Sequence, residues 1–170
     1  MAGPEELLEV LKKAILVERD GHEFYKVASK STTDEQGKSV LESLAKDEIE
    51  HFKMLKTQYD ALAKGQKLKF TKAERGTGLD LSKASPIFSE DFKKRIKDYN
   101  FEMSALSIGV LLEKNSIEFY KNSAEKIDDL DLKALFNYLA DWEKQHLEAL
   151  IKQQRFLQED YWAKAQFYPF

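Results

Sequence analysis

The 170-residue chain predicts an all-α protein: four long helices in a bundle, made of two helical hairpins joined by one long crossover. Three observations predict it. Proline occurs only at Pro4, Pro86 and Pro169, so two long stretches lack helix breakers. Both stretches carry apolar residues at the helical period. The second stretch also repeats the first.

The elements follow in order. The first helix is expected from Pro4 to about Lys30, with Pro4 at a first helical position and Glu5 and Glu6 suiting the positive helix end. The second is expected from near Thr32, where Thr32-x-x-Glu35 and Thr33-x-x-Gln36 offer capping boxes, to about Lys64, with Gly65 as its stop. The third is expected from Phe101 to Lys126, and the fourth from Asp128 and Asp129 to about Gln158. Each would be about 40 Å long. Very short turns join the first helix to the second and the third to the fourth, making each of those two pairs an antiparallel hairpin. The chain thus reads as one domain: hairpin 1 over about 4–64, crossover over about 65–100, hairpin 2 over about 101–158, and a tail at 159–170. Within the crossover, "SEDFKKRIKD" suits a short helix. The tail holds Tyr161, Trp162, Phe167, Tyr168 and Phe170. So many aromatics suit either a cover over one end of the bundle or a homodimer contact.

Composition narrows the functional classes. Apolar residues make up 42% and charged residues 34%, which fits a folded core rather than disorder. The net charge of −3 leaves no basic surfeit that would argue for nucleic acid. No apolar run approaches the roughly 20 residues that span a bilayer, so no membrane partner is expected. The start, "MAGPEELLEV", is acidic where a secretory signal would be basic, and the expected location is the cytoplasm. The chain has no cysteine, which excludes disulfides and thiolate metal sites.

Shifting the sequence by 95 residues aligns the two hairpins without a gap. "ERDGHEFYK" at 18–26 lies over "EKNSIEFYK" at 113–121, and "LAKDEIEH" at 44–51 over "LADWEKQH" at 139–146. Between 18–58 and 113–153, 13 of 41 positions are identical, far above chance, so the fold should carry a pseudo-twofold axis.

Both halves place polar residues where hydrocarbon is expected. At about 100° per residue, Glu18 falls in the centre of the Leu7, Leu11, Ala14, Ile15 stripe. Glu48 and His51 fall on the stripe of Leu41, Leu44, Phe52 and Leu55. Glu113 falls among Leu106, Val110 and Ile117, and Glu143 and His146 among Leu135, Leu139, Leu147 and Leu150. A lone ionised carboxylate in the interior costs several kcal/mol even after relaxation, and clustered like charges add to that. No lysine or arginine lies on these stripes at that level. Two divalent cations would balance four carboxylates, and oxygen and imidazole donors without thiolate suit iron or manganese rather than structural zinc. One Glu-x-x-His is a weak signal. Two of them, each 30 residues after a core-face glutamate, are a strong one.

These residues resemble the rubrerythrin branch of the ferritin-like superfamily, the di-iron carboxylate proteins, over both hairpins. The resemblance implies a ferritin-like bundle with two iron ions; manganese or a mixed pair would suit the same donors. It implies terminal carboxylates at Glu18 and Glu113, bridging ones at Glu48 and Glu143, and nitrogen ligands at His51 and His146. One ion would take Glu18, Glu48, His51 and a share of Glu143; the other would take Glu113, Glu143, His146 and a share of Glu48. Two departures stand out. Rubrerythrins usually carry a cysteine-ligated rubredoxin domain, absent from a chain without cysteine, so an external electron donor is implied. They also carry a further glutamate one turn after the third-helix ligand, where this chain has Ser116.

Four other residues are candidates for supporting the site. Tyr25 and Tyr120 lie two turns from Glu18 and Glu113 on the same faces, where their hydroxyls would meet carboxylates or carry an electron. Asp47 is placed to orient a histidine across the bundle. Its repeat partner is Trp142, so the two halves of the site should differ. His22 lies one turn from Glu18, but its repeat partner is Ile117, which favours packing over ligation. The expected function is a di-iron oxidoreductase reacting with O2 or H2O2, of ferroxidase or peroxidase type, in oxidative-stress defence. The alternatives are iron or manganese handling without turnover, hydroxylation of an organic substrate, and a purely structural bundle.

Overall fold

The structure is a computed structural model that describes residues 3–72, 87 and 100–165, the side chains of 100 and 160–165 excepted. Among the described residues, four helices form a four-helix bundle: α1 (Pro4–Ser31), α2 (Glu35–Ala63), α3 (Asn100–Lys126) and α4 (Leu130–Ala165).

Local chemistry fixes the helix ends. At the start of α1, the Glu6 carboxylate accepts a hydrogen bond from the Gly3 N–H at 3.0 Å. The start of α2 corrects the expected threonine capping boxes. Asp34 is the cap, its carboxylate accepting from the Gly37 N–H at 2.8 Å. The buried Thr32 hydroxyl instead accepts from the Asp34 N–H at 3.3 Å. Asp129, the repeat partner of Asp34, does the same for α4, accepting from the Leu132 N–H at 2.9 Å. α2 ends in a Schellman motif: the Gly65 N–H donates to the Leu62 carbonyl and the Gln66 N–H to the Ala61 carbonyl, both at 2.9 Å. Gly65 sits at φ +67°, a left-handed turn that favours glycine.

α4 also outruns its expected end, continuing past Gln158 to Ala165. No breaker precedes Pro169, and "EDYWAKA" is made largely of good helix formers. Tyr161 and Trp162 are therefore helical; Phe167, Tyr168 and Phe170, like the proposed "SEDFKKRIKD" helix, lie outside the described residues.

The core divides into two apolar clusters. One gathers Tyr25, Leu41, Leu44, Leu106 and Leu150; the other gathers Leu11, Leu55, Tyr120, Leu135 and Phe136. Glu18, Glu48, His51, Glu113, Glu143 and His146 are each at most 4% exposed, so this polar layer is as buried as the hydrocarbon. The repeat also ties down the crossover. Gln58 brackets Lys69, its side chain donating to the Lys69 carbonyl at 2.9 Å and accepting from the Lys69 N–H at 3.1 Å. Its repeat partner Gln153 accepts from the Ile87 N–H.

Candidate metal centre

The polar layer is built from mid-helix positions, so its geometry is set by helix packing rather than by loops. Glu18, Glu48, His51 and Glu143 each present one donor atom within 4.8 Å of the others. Glu48, Glu113, Glu143 and His146 form a second such group, and Glu48 and Glu143 belong to both. The structure thus brings together all six residues singled out in the sequence as candidate ligands.

The tyrosines cross between the halves. The Tyr25 hydroxyl of α1 donates to Glu113 Oε1 of α3, and the Tyr120 hydroxyl of α3 donates to Glu18 Oε1 of α1. The two bonds are repeat images of each other, so the pseudo-twofold axis passes through the site. Asp47 reaches across the bundle, with its Oδ2 3.1 Å from His146 Nε2. That leaves His146 Nδ1 facing the carboxylates, 2.8 Å from Glu143 Oε2. His51 Nδ1 also faces inward, 3.0 Å from Glu18 Oε2 and 2.8 Å from Glu143 Oε1.

His22 is not part of this convergence. Its ring is half-buried, and Nδ1 lies 2.7 Å from the Ala45 carbonyl, to which it donates. Gly21 was not singled out in the sequence. A Cβ there would stand 3.3 Å from the Glu48 carboxyl carbon, so the glycine makes room for that carboxylate. The available signal was an isolated glycine inside a helical pattern, one turn after Glu18.

The electrostatics are those of a site without enough positive charge. Burial, then the Glu48 and Glu143 charges, pushes Glu18 well above the usual carboxylate range. Burial, then Glu143 and Glu48, does the same to Glu113. Burial opposes charging of His51 and His146, but the surrounding carboxylates override it and hold both well above the usual histidine value. Glu143 is also disfavoured by burial, yet the two histidines pull it below the carboxylate range. Burial, then Glu113 or Glu18 respectively, raises the Tyr25 and Tyr120 hydroxyls, which stay protonated donors.

Both Glu143 oxygens and His146 Nδ1 are buried without a directed hydrogen bond, although the Glu143 oxygens lie 2.8 Å from histidine nitrogens. These unpartnered atoms belong to groups whose donor atoms lie within 4.8 Å of one another. That arrangement fits a cation better than a proton. The donor set, carboxylate oxygens with two imidazole nitrogens, fits iron or manganese.

A four-helix bundle with a buried carboxylate–histidine layer of this kind defines a ferritin-like protein with a candidate metal site. The chain belongs to the rubrerythrin family, whose model matches residues 9–154. No curated protein gives a significant match. Among solved structures, the chain is similar to a hypothetical protein from Pyrococcus furiosus, with 26% identity, 90% of each chain covered and a TM-score of 0.67.

Proposed function

We propose that this protein is a di-iron oxidoreductase that reacts with O2 or H2O2, as a ferroxidase or peroxidase in oxidative-stress defence. The observation that carries the reading is the inward convergence of four carboxylates and two imidazole nitrogens, with no lysine or arginine among them. In this reading Glu18, Glu48, His51 and a share of Glu143 hold one ion. Glu113, Glu143, His146 and a share of Glu48 hold the other.

When bound, a ferrous pair supplies two electrons to the oxidant. The chain's own residues do the rest. Glu48 and Glu143, which belong to both donor groups, would each be shared between the two ions. Asp47 fixes the His146 ring so that Nδ1 stays turned inward. The Tyr25 and Tyr120 hydroxyls hold a proton at Glu113 Oε1 and Glu18 Oε1 and restrain both carboxylates. The two apolar clusters exclude water from either side. On the same reading the protein acts in the cytoplasm and takes electrons from a separate donor. It also pairs as a homodimer, which sedimentation would test.

The deciding experiment is metal analysis of the purified protein, then anaerobic ferrous loading and exposure to O2 or H2O2 with optical detection. Two metals per chain, an oxo-bridge absorption and repeated oxidant consumption are expected. Metal-loaded protein that consumes no oxidant over many cycles would instead mark an iron- or manganese-handling protein.

A further inference from the structure

The repeat symmetry of the site is broken at one place. His146 has Asp47 on its outer nitrogen, but the repeat partner of Asp47 is Trp142, and His51 Nε2 is buried with no hydrogen-bond partner. If orienting a histidine were the whole task at this position, a carboxylate would serve in both halves. Trp142 instead packs edge-on against the His51 ring, with centroids 4.6 Å apart and planes at 77°.

The aromatic contact continues outward. One turn earlier on α4, Tyr138 packs on Trp142, with centroids 5.6 Å apart and planes at 81°. Tyr138 in turn lines a surface groove with Phe70 and Lys72; the Phe70 ring lies 5.6 Å from it, and Lys72 Nζ lies 5.6 Å from the ring centroid. Four rings therefore run in contact from the groove to the carboxylate cluster. The repeat partners of Tyr138 and Trp142 on α2 are Ser43 and Asp47, so this path exists on one side only.

We propose that Tyr138, Trp142 and His51 form an electron-entry route from this groove to the metal centre; this rests on the redox reading above. These 170 residues contain no cysteine to bind a thiolate electron carrier, so reducing equivalents would reach the bundle through its surface. Electron tunnelling decays exponentially with the gap crossed, and aromatic rings in contact replace one long gap by short steps. The reductant is a soluble one-electron carrier arriving at the groove. Two such carriers would each give up one electron, and a ferric pair held by the six ligands would take up one each. No bond in the route is made or broken, and no ring loses a proton.

The test exploits the absence of cysteine. An Asn137→Cys variant places a single thiol at an exposed position of the groove, for labelling with a ruthenium photosensitiser that injects one electron per flash. Bleaching of the oxidised centre's absorption reports the arrival of electrons. The expected result is an order-of-magnitude slowing in Trp142→Leu, with most of the rate retained in Trp142→Phe, at equal iron content and equal circular dichroism. An unchanged rate in Trp142→Leu overturns the route. In a Trp162→Phe background, titration with cobalt(II) alone should quench Trp142 fluorescence, and unquenched emission with cobalt bound also overturns it. Failure to load iron at all would sink the redox reading and the route together. Normal loading with reduction independent of Trp142 sinks the route alone.

Discussion

At the scale of single residues, Glu18 exposes a conflict between stability and site chemistry. Its carboxyl is fully buried, and burial together with two neighbouring carboxylates favours the neutral acid. Glu18→Gln keeps the shape and removes the titration, so metal-free stability should stay within about 1 kcal/mol of the parent. The same change should remove tight binding at one of the two proposed ion positions. Thermal melts and metal stoichiometry on one preparation check both halves. Tyr120→Phe has the opposite character. It leaves Glu18 Oε1 without its donor in a dry layer and should cost about 1–3 kcal/mol, read from the denaturant midpoint.

At the scale of elements, the repeat supplies matched tests. Asp34 and Asp129 cap the second helix of each hairpin, so Asp34→Ala and Asp129→Ala should each cost about 1 kcal/mol. Gly21 permits a sharper one. A glycine inside a helix is about 0.5–1 kcal/mol worse than alanine, so Gly21→Ala would help a helix with nothing opposite it. Here the new methyl would meet the Glu48 carboxyl carbon at 3.3 Å and push that carboxylate aside by a few tenths of an ångström. The expected outcome is a weaker metal affinity without a matching loss of fold, measured by titration calorimetry alongside thermal melts.

For the whole molecule, protons and cations compete for one buried layer. Without a cation, His51 and His146 titrate above their ordinary value of 6.5 because of the carboxylates around them. A folded pKa above the unfolded one means stability fully present below 6.5 and lost as pH rises through the folded values. Glu18 and Glu113 are raised as well and act in the same direction from their own lower starting point. Glu48 and Glu143 are lowered; their contribution is lost as pH falls below 4.5 through their folded values. The metal-free melting temperature should therefore decline from neutral to alkaline pH. Bound divalent cations should flatten that decline and add about 2.7 kcal/mol per occupied site at a hundredfold excess over Kd. Binding should also release protons, which calorimetry in buffers of different ionisation enthalpy would count.

The sequence by itself determined the helices, their pairing, the duplication and the six polar core positions. Those follow from helical periodicity and from the physical cost of a buried charge, and both can be read along a line of residues. It also marked Asp47 and the two tyrosines as neighbours of the site. It missed Asp34 as a helix cap, although the shared Asp34 and Asp129 were visible in the repeat, because adjacent threonines carry the same capping chemistry. Only the tertiary structure decided which carboxylate each tyrosine holds, that His22 turns to a backbone carbonyl, that Gly21 clears space for Glu48, and that Trp142 lies against His51. Each of these is a contact between residues on different helices. It depends on the rotation and depth at which those helices pack, and periodicity within one helix carries no information about either.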